Sequence, residues 1–176
     1  SDGPIILFVG NLLPVKGLDI LIDAARILMD RGMNFQVLVV GSGPQQAELK
    51  GMAESYGLHD QIRFEGVKSQ RELLLYYNAA DLFVLPTKVE GFGLVFLEAM
   101  LCGCPVLGGA ETLTEILPSD RCGYHIPSSS PEVWAERITI ALDQSWSKEE
   151  IHELARIYTW EVLGEEFEKL YKKIVG

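Results

Sequence analysis

Five short apolar runs, rich in β-branched residues, constrain this chain more than any other feature: Ile5 to Val9, Phe35 to Val40, Ile62 to Glu65, Asp81 to Leu85 and Pro105 to Gly108. Strands so nearly continuous in hydrophobicity have no wet face, so they belong in a parallel sheet covered on both sides. Each is followed by a longer stretch of helical periodicity; after the first, Leu18, Leu21, Ile22, Ala25, Leu28 and Met29 fall on one stripe. The alternation predicts a doubly wound α/β domain, a parallel sheet with helices on both faces. Helix starts are legible as well. Ser69 with Glu72 and Ser147 with Glu150 fit capping boxes, and Pro44 and Pro131 suit a first helical position. From Pro131 onward the pattern is helical only, over Pro131 to Leu142, Lys148 to Ile157 and Trp160 to Ile174. Without linker, repeat or low-complexity segment, residues 1–176 are expected to form a single domain.

The balance of 25 acidic to 15 basic side chains, a formal charge of -10, repels phosphate backbones and argues against a nucleic-acid partner. The opening SDGPIILFVGNLL has no basic region ahead of its short apolar run, so it is expected to be a strand and not a leader or a membrane span. A start at Ser1 instead of Met suggests a piece of a longer protein. Three cysteines give no disulfide framework and fit a reducing, cytoplasmic setting.

Ligands of such sheets collect outside the carboxyl ends of the strands, and the unusual residues lie there: Gly10, the turn Gly41 to Pro44, Gly66, and Pro86 to Gly93. In EGFGLVFLEAM, Glu90 to Met100, Gly91 and Gly93 let a ligand approach the backbone. A helix beginning near Phe92 or Gly93 would offer unpaired amides and a favourable dipole to an anion. Glu98, more than a turn inside that helix among apolar neighbours, needs hydrogen-bond donors, and the vicinal hydroxyls of a ribose supply two. Glu90 can serve a second polyol on the other side of the anion. The plainer alternative, Glu98 on a narrow exposed face and Glu90 as a loop residue, stays open on the residues alone.

The segments Phe8 to Gly17, Val39 to Pro44, Ile62 to Val67, Ala80 to Val106 and Gly108 to Leu117, in this order, resemble the C-terminal, donor-binding half of a GT-B glycosyltransferase. The specific resemblance is to the retaining group-1 enzymes of glycosyltransferase family four. It implies a Rossmann-like, nucleotide-sugar-binding domain whose N-terminal acceptor domain lies outside residues 1–176. The donor would be a UDP-, GDP- or ADP-sugar, with no other cofactor. A hexosyl unit such as mannosyl or glucosyl would pass to a glycan, lipid-linked or small-molecule acceptor, in the cytoplasm or peripheral to the inner face of the membrane. Lys16 and Glu90 become the catalytic residues: Lys16 a cation on the diphosphate, Glu90 a contact to the sugar hydroxyls. Glu98 would meet the ribose; amides of Gly91, Phe92, Gly93 and Leu94 the sugar and diphosphate; Gly10, Asn11, Gly41, Gly43 and Val67 the remaining donor surface, with the base over the turns Gly41 to Pro44 and Gly66 to Lys68. No Asp-x-Asp motif occurs, in line with metal-independent chemistry.

Asn11 departs from the family, which commonly has arginine after the first-strand glycine; asparagine donates a hydrogen bond but carries no charge. Lys16 is then expected to act alone or with a second cation such as Lys88. A GT-B sugar-nucleotide epimerase and a nucleotide-sugar-binding module without catalysis are the alternatives. GSGPQQA lacks the third glycine of a dinucleotide fingerprint, and GNLLPVKG is not a P-loop. Cys102, Cys104, Cys122 and His125 could be drawn as a zinc set, but the Cys102–Cys104 spacing is tighter than usual for structural zinc, so the cysteines are expected to pack as small hydrophobes. Trp134 falls on an apolar stripe and is expected in the core. The final helix, with Trp160, Phe167, Leu170 and Tyr171 at helical spacing, would either cross to the N-terminal domain or pack on its own.

Overall fold

A computed structural model describes residues 3–175. Six strands form one wholly parallel sheet: β1 (Ile5–Val9), β2 (Gln36–Val40), β3 (Ile62–Gly66), β4 (Leu82–Leu85), β5 (Val106–Gly108) and β6 (Gly123–His125). Their spatial order is β3-β2-β1-β4-β5-β6, so the direction of winding reverses between β1 and β4. In a sheet of this order the reversal opens a crevice at the carboxyl ends of those two strands, because the connections leave it on opposite faces.

The five expected strands are present to within a residue at each end. The sixth, β6, was not expected: GYH has no β-branched run and is three residues long, and it joins the edge only through its register with β5, Val106 opposite Gly123 to Gly108 opposite His125. The β1–β4 pair is fastened at its start by Asp81. Its amide donates to Ile5 O at 2.9 Å, and its carboxylate Oδ2 accepts from the Ile5 amide at 2.8 Å.

Eight α-helices are described: α1 (Leu18–Asp30), α2 (Gln46–Ser55), α3 (Gln70–Ala79), α4 (Leu94–Leu101), α5 (Thr112–Ile116), α6 (Pro131–Asp143), α7 (Lys148–Ala155) and α8 (Trp160–Val175). Helix α1 packs with α2 and α6, and α4 packs with α3 and α7, giving the two helical layers. The Ser69–Glu72 capping box closes in both directions, and Ser147 accepts from the Glu150 amide. Pro131 is the first residue of α6, whereas Pro44 lies in a turn two residues ahead of α2, because Gln45 takes the cap position. Helix α7 ends at Ala155 and continues as a 3-10 turn, Arg156–Tyr158.

The core lies between sheet and helices. Trp134 is fully buried with its indole N–H donating to Ser128 O at 2.7 Å. Cys104 and Cys122 are buried free thiols whose burial pushes them up to about 12 and about 11, so they pack as neutral groups. Helix α8 is different. Phe167, Leu170, Tyr171 and Ile174 are all more than half exposed, so this face is not packed on the described residues of its own domain. Truncating Trp134 to alanine should lower stability by about 3–5 kcal/mol, the usual cost of an emptied aromatic site. Urea denaturation of the native and Trp134→Ala chains measures it; a loss under about 1 kcal/mol would show that α6 is not anchored by this ring.

Candidate functional site

At the β1–β4 reversal a cavity of about 450 Å³ lies across the carboxyl ends of β1, β2, β3 and the start of α4. Val9, Gly10 and Asn11 line it from the first strand, Val40, Gly41 and Ser42 from the second, and Val67 and Lys68 from the third. Residues Glu90 through Val95 form the opposite wall with Lys16, and Leu73 of α3 closes one side. Of the twelve residues the sequence put forward, ten meet here.

The walls come close because glycine permits it. At Gly41 φ is 133°, and a Cβ there would stand 1.9 Å from Gly10 O, so the first two loops touch backbone to backbone. Gly93 has φ 78° and is the N-cap of α4, so the helix begins at Leu94, one to two residues later than the sequence suggested. The amides of Leu94 and Val95 open the helix and, like those of any first helical turn, have no carbonyl one turn back. Phe92 and Leu94 are exposed beside them, and Val67 is exposed opposite, so apolar surface flanks the helix start.

Lys16 ends a 3-10 turn, Pro14–Lys16, and its Nζ lies 2.6 Å from Glu90 Oε2, with both side chains less than a fifth exposed. The backbone on both sides holds that pair. The Lys88 amide donates to Val15 O at 3.1 Å, and Thr87, fully buried, has its Oγ1 3.1 Å from Val15 O and 2.8 Å from Val89 O, sharing one proton between them.

Two predicted residues lie outside the cavity. Gly43 packs against Leu12, whose amide donates to Ser42 O at 2.9 Å and whose carbonyl accepts from Gln45; Ser42 faces the cavity instead. Glu98 lines an adjoining groove of about 420 Å³ with Gln70, Arg71, Leu73, Leu74 and Tyr77. Leu94 and Glu98 are one turn apart on α4, and Leu73 borders both spaces, so the groove continues the cavity along the helix. Glu98 Oε2 accepts from Tyr77 Oη at 2.8 Å, which leaves the carboxylate further lone pairs.

Lys88 is exposed and serves through its backbone; the second cation on the cavity wall is Lys68. Its Nζ lies 5.6 Å above the Tyr76 ring and 3.7 Å from Glu65 Oε2, which also accepts from Tyr76 Oη at 2.9 Å. Contact with Tyr76 and then the nearby carboxylates hold its ammonium above the ordinary lysine value. Ser42 and Lys68 lie in the two turns expected under the base, but nothing local in the sequence marked Lys68 as the second cation or Tyr77 as a partner of Glu98. Only the four-residue spacing of Leu73 and Tyr77 on α3 hinted that they share a face.

Burial first, and then the Glu98 charge and hydrogen bond, push the Tyr77 phenol far above its ordinary value of 10.0. A group protonated more strongly in the folded than in the unfolded chain stabilises the fold fully below its unfolded pKa and loses that contribution as pH rises through the folded value. Stability should therefore fall above about pH 10, and Tyr77→Phe should make the fall shallower by about one proton, at a cost near neutrality of about 1 kcal/mol for the lost hydrogen bond. Denaturation midpoints from about pH 8 to pH 11 test this; equal slopes in the two chains would refute it.

The sequence profile of the family described as "Glycosyl transferases group 1" matches residues 1–157. The chain is 32% identical over 183 aligned residues to a D-inositol 3-phosphate glycosyltransferase of Corynebacterium glutamicum, covering 98% of this chain and 44% of the relative. Among solved structures, it is similar to the C-terminal domain of the glycosyl transferase group 1 family protein LpcC from Francisella tularensis. There the TM-score is 0.71 at 26% identity, with 86% of this chain and 80% of that one covered. The pneumococcal O-GlcNAc transferase GtfA, in complex with UDP and GlcNAc, shares the fold at TM-score 0.83 and 20% identity, over 99% of this chain and 37% of that one. The chain thus spans less than half the length of the curated relative it matches.

Proposed function

The chain belongs to the glycosyl transferases group 1 family, and on that premise we propose that it is the donor half of a retaining GT-B glycosyltransferase that binds a nucleoside-diphosphate sugar. The observation that carries this is the convergence, in one cavity, of a helix start, the Lys16 ammonium and the Glu90 carboxylate. The diphosphate would rest on the first amides of α4, where unpaired N–H groups and the helix dipole favour an anion. Lys16 would meet the charge that grows on the leaving diphosphate, and Glu90 would accept from the hydroxyls of the transferred hexose. The ribose would lie toward the groove, where Tyr77 orients Glu98. UDP, GDP and ADP are all admissible diphosphates.

The acceptor would be held by an N-terminal half, and the exposed apolar face of α8 is the surface on which that half would settle. Closure of the two halves would exclude water from the reacting donor. No described helix is long and apolar enough to cross a membrane; we place the whole protein in the cytoplasm, acting on its acceptor there or at the inner membrane face. One alternative has an observation behind it. Asn11 is exposed at the cavity and brings no charge, as a nucleotide-sugar-binding module without turnover could tolerate, whereas Lys68 on the far wall supplies a second cation.

Thermal denaturation with a panel of UDP-, GDP- and ADP-hexoses tests the assignment. At least one should stabilise the native chain, and a ligand at about 100 times its Kd adds about 2.7 kcal/mol. Lys16→Ala and Glu98→Ala should respond less to the same compound. If all three chains respond alike, or none responds, the donor site is not here.

A further inference from the structure

The Lys16–Glu90 pair joins two loops 74 positions apart in sequence. The hydrogen bonds from Lys88 N and Thr87 Oγ1 to Val15 O fix the two loops together directly behind it. The pair is therefore part of the wall where the diphosphate would lie, and it is electrically neutral. An incoming diphosphate meets an ammonium already satisfied by a carboxylate 2.6 Å away. Lysine has three N–H donors and can still reach a phosphate oxygen, but the Glu90 charge then stands beside the anion and opposes it. With both side chains mostly screened from water, solvent does little to weaken that opposition.

We propose, resting on the donor-site assignment above, that Glu90 is a specificity-determining residue which, through its ion pair with Lys16, makes the site discriminate against a nucleoside diphosphate that carries no sugar. When a hexose is attached, its hydroxyls donate to Glu90 and give the carboxylate a partner other than Lys16, which is released to the phosphates. When the sugar has gone, Glu90 has no donor but Lys16 and competes for it. The same pair thus favours entry of the sugar nucleotide and departure of the bare diphosphate, in one residue and without any movement of the fold.

The test is calorimetric titration of the native chain and of Glu90→Gln and Glu90→Asp variants with UDP, GDP and ADP and with UDP-glucose, GDP-mannose and ADP-glucose. Glutamine keeps the size of the side chain and removes its charge. For whichever nucleotide the native chain binds, Glu90→Gln should bind the bare diphosphate about three- to tenfold tighter, the scale of a partly buried ion pair. It should bind the sugar nucleotide no tighter, so the preference for the sugar form collapses. Added salt should weaken diphosphate binding more in this variant than in the native chain, because its Lys16 charge is uncompensated. Glu90→Asp, which keeps the charge, should not gain affinity for the bare diphosphate. Unchanged or weaker binding of the bare diphosphate by Glu90→Gln, or an equal gain for both forms, overturns the proposal. If the native chain and Lys16→Ala bind no nucleotide, or bind it equally, the donor-site assignment itself falls and takes this inference with it.

Discussion

The lateral pairing of β1 with β4 is the constraint from which the remaining features follow. Only two register pairs hold it, Ile6 with Leu82 and Leu7 with Phe83, and Asp81 closes its lower end from both sides. Because these strands are parallel and 76 residues apart at Asp81 and Ile5, the loops leaving their carboxyl ends emerge side by side although nothing connects them locally. One loop carries Lys16, the other Glu90, Gly91 and the start of α4. A cation, a carboxylate and unpaired amides cannot be gathered by a single segment of chain at this spacing; the sheet's change of direction gathers them.

Much of this was legible in the sequence because burial leaves a composition signature. A strand enclosed on both faces must be apolar throughout, and Ile5 to Val9 or Leu82 to Leu85 can hardly be anything else. The strand at Gly123–His125 left no such trace, since an edge element of three residues needs only one neighbour and little hydrophobic content. At the site, Gly93 and the glutamates stood out because their chemistry conflicts with their surroundings. The turn that carries Lys68 is expected beside the base, yet the role of Lys68 as the second cation is not, because how its side chain meets the wall is set by the lateral position of β3, two strands from β1, which no local pattern encodes. Gly43 and Glu98 show the converse difficulty. Both lie in segments that border the cavity, but backbone packing against Leu12 and the turn angle of α4 decide which of adjacent residues faces it.

The site is also close to neutral in a strongly acidic protein. Lys16 is balanced by Glu90 and Lys68 by Glu65, so neither ammonium projects an unopposed field. With a formal charge of -10 around it, such a site gains little from long-range attraction and must select its ligand at contact. That agrees with a cavity flanked by exposed Val67, Phe92 and Leu94, whose apolar surface rewards shape before charge.

The buried hydroxyl of Thr87 has one more consequence. By sharing its proton between Val15 O and Val89 O, it braces the two loops that form one wall into a single stiff unit. A widening of the pocket that kept these bonds would have to come from the opposite flank, where Val67 and Lys68 follow β3 and Leu73 sits on α3.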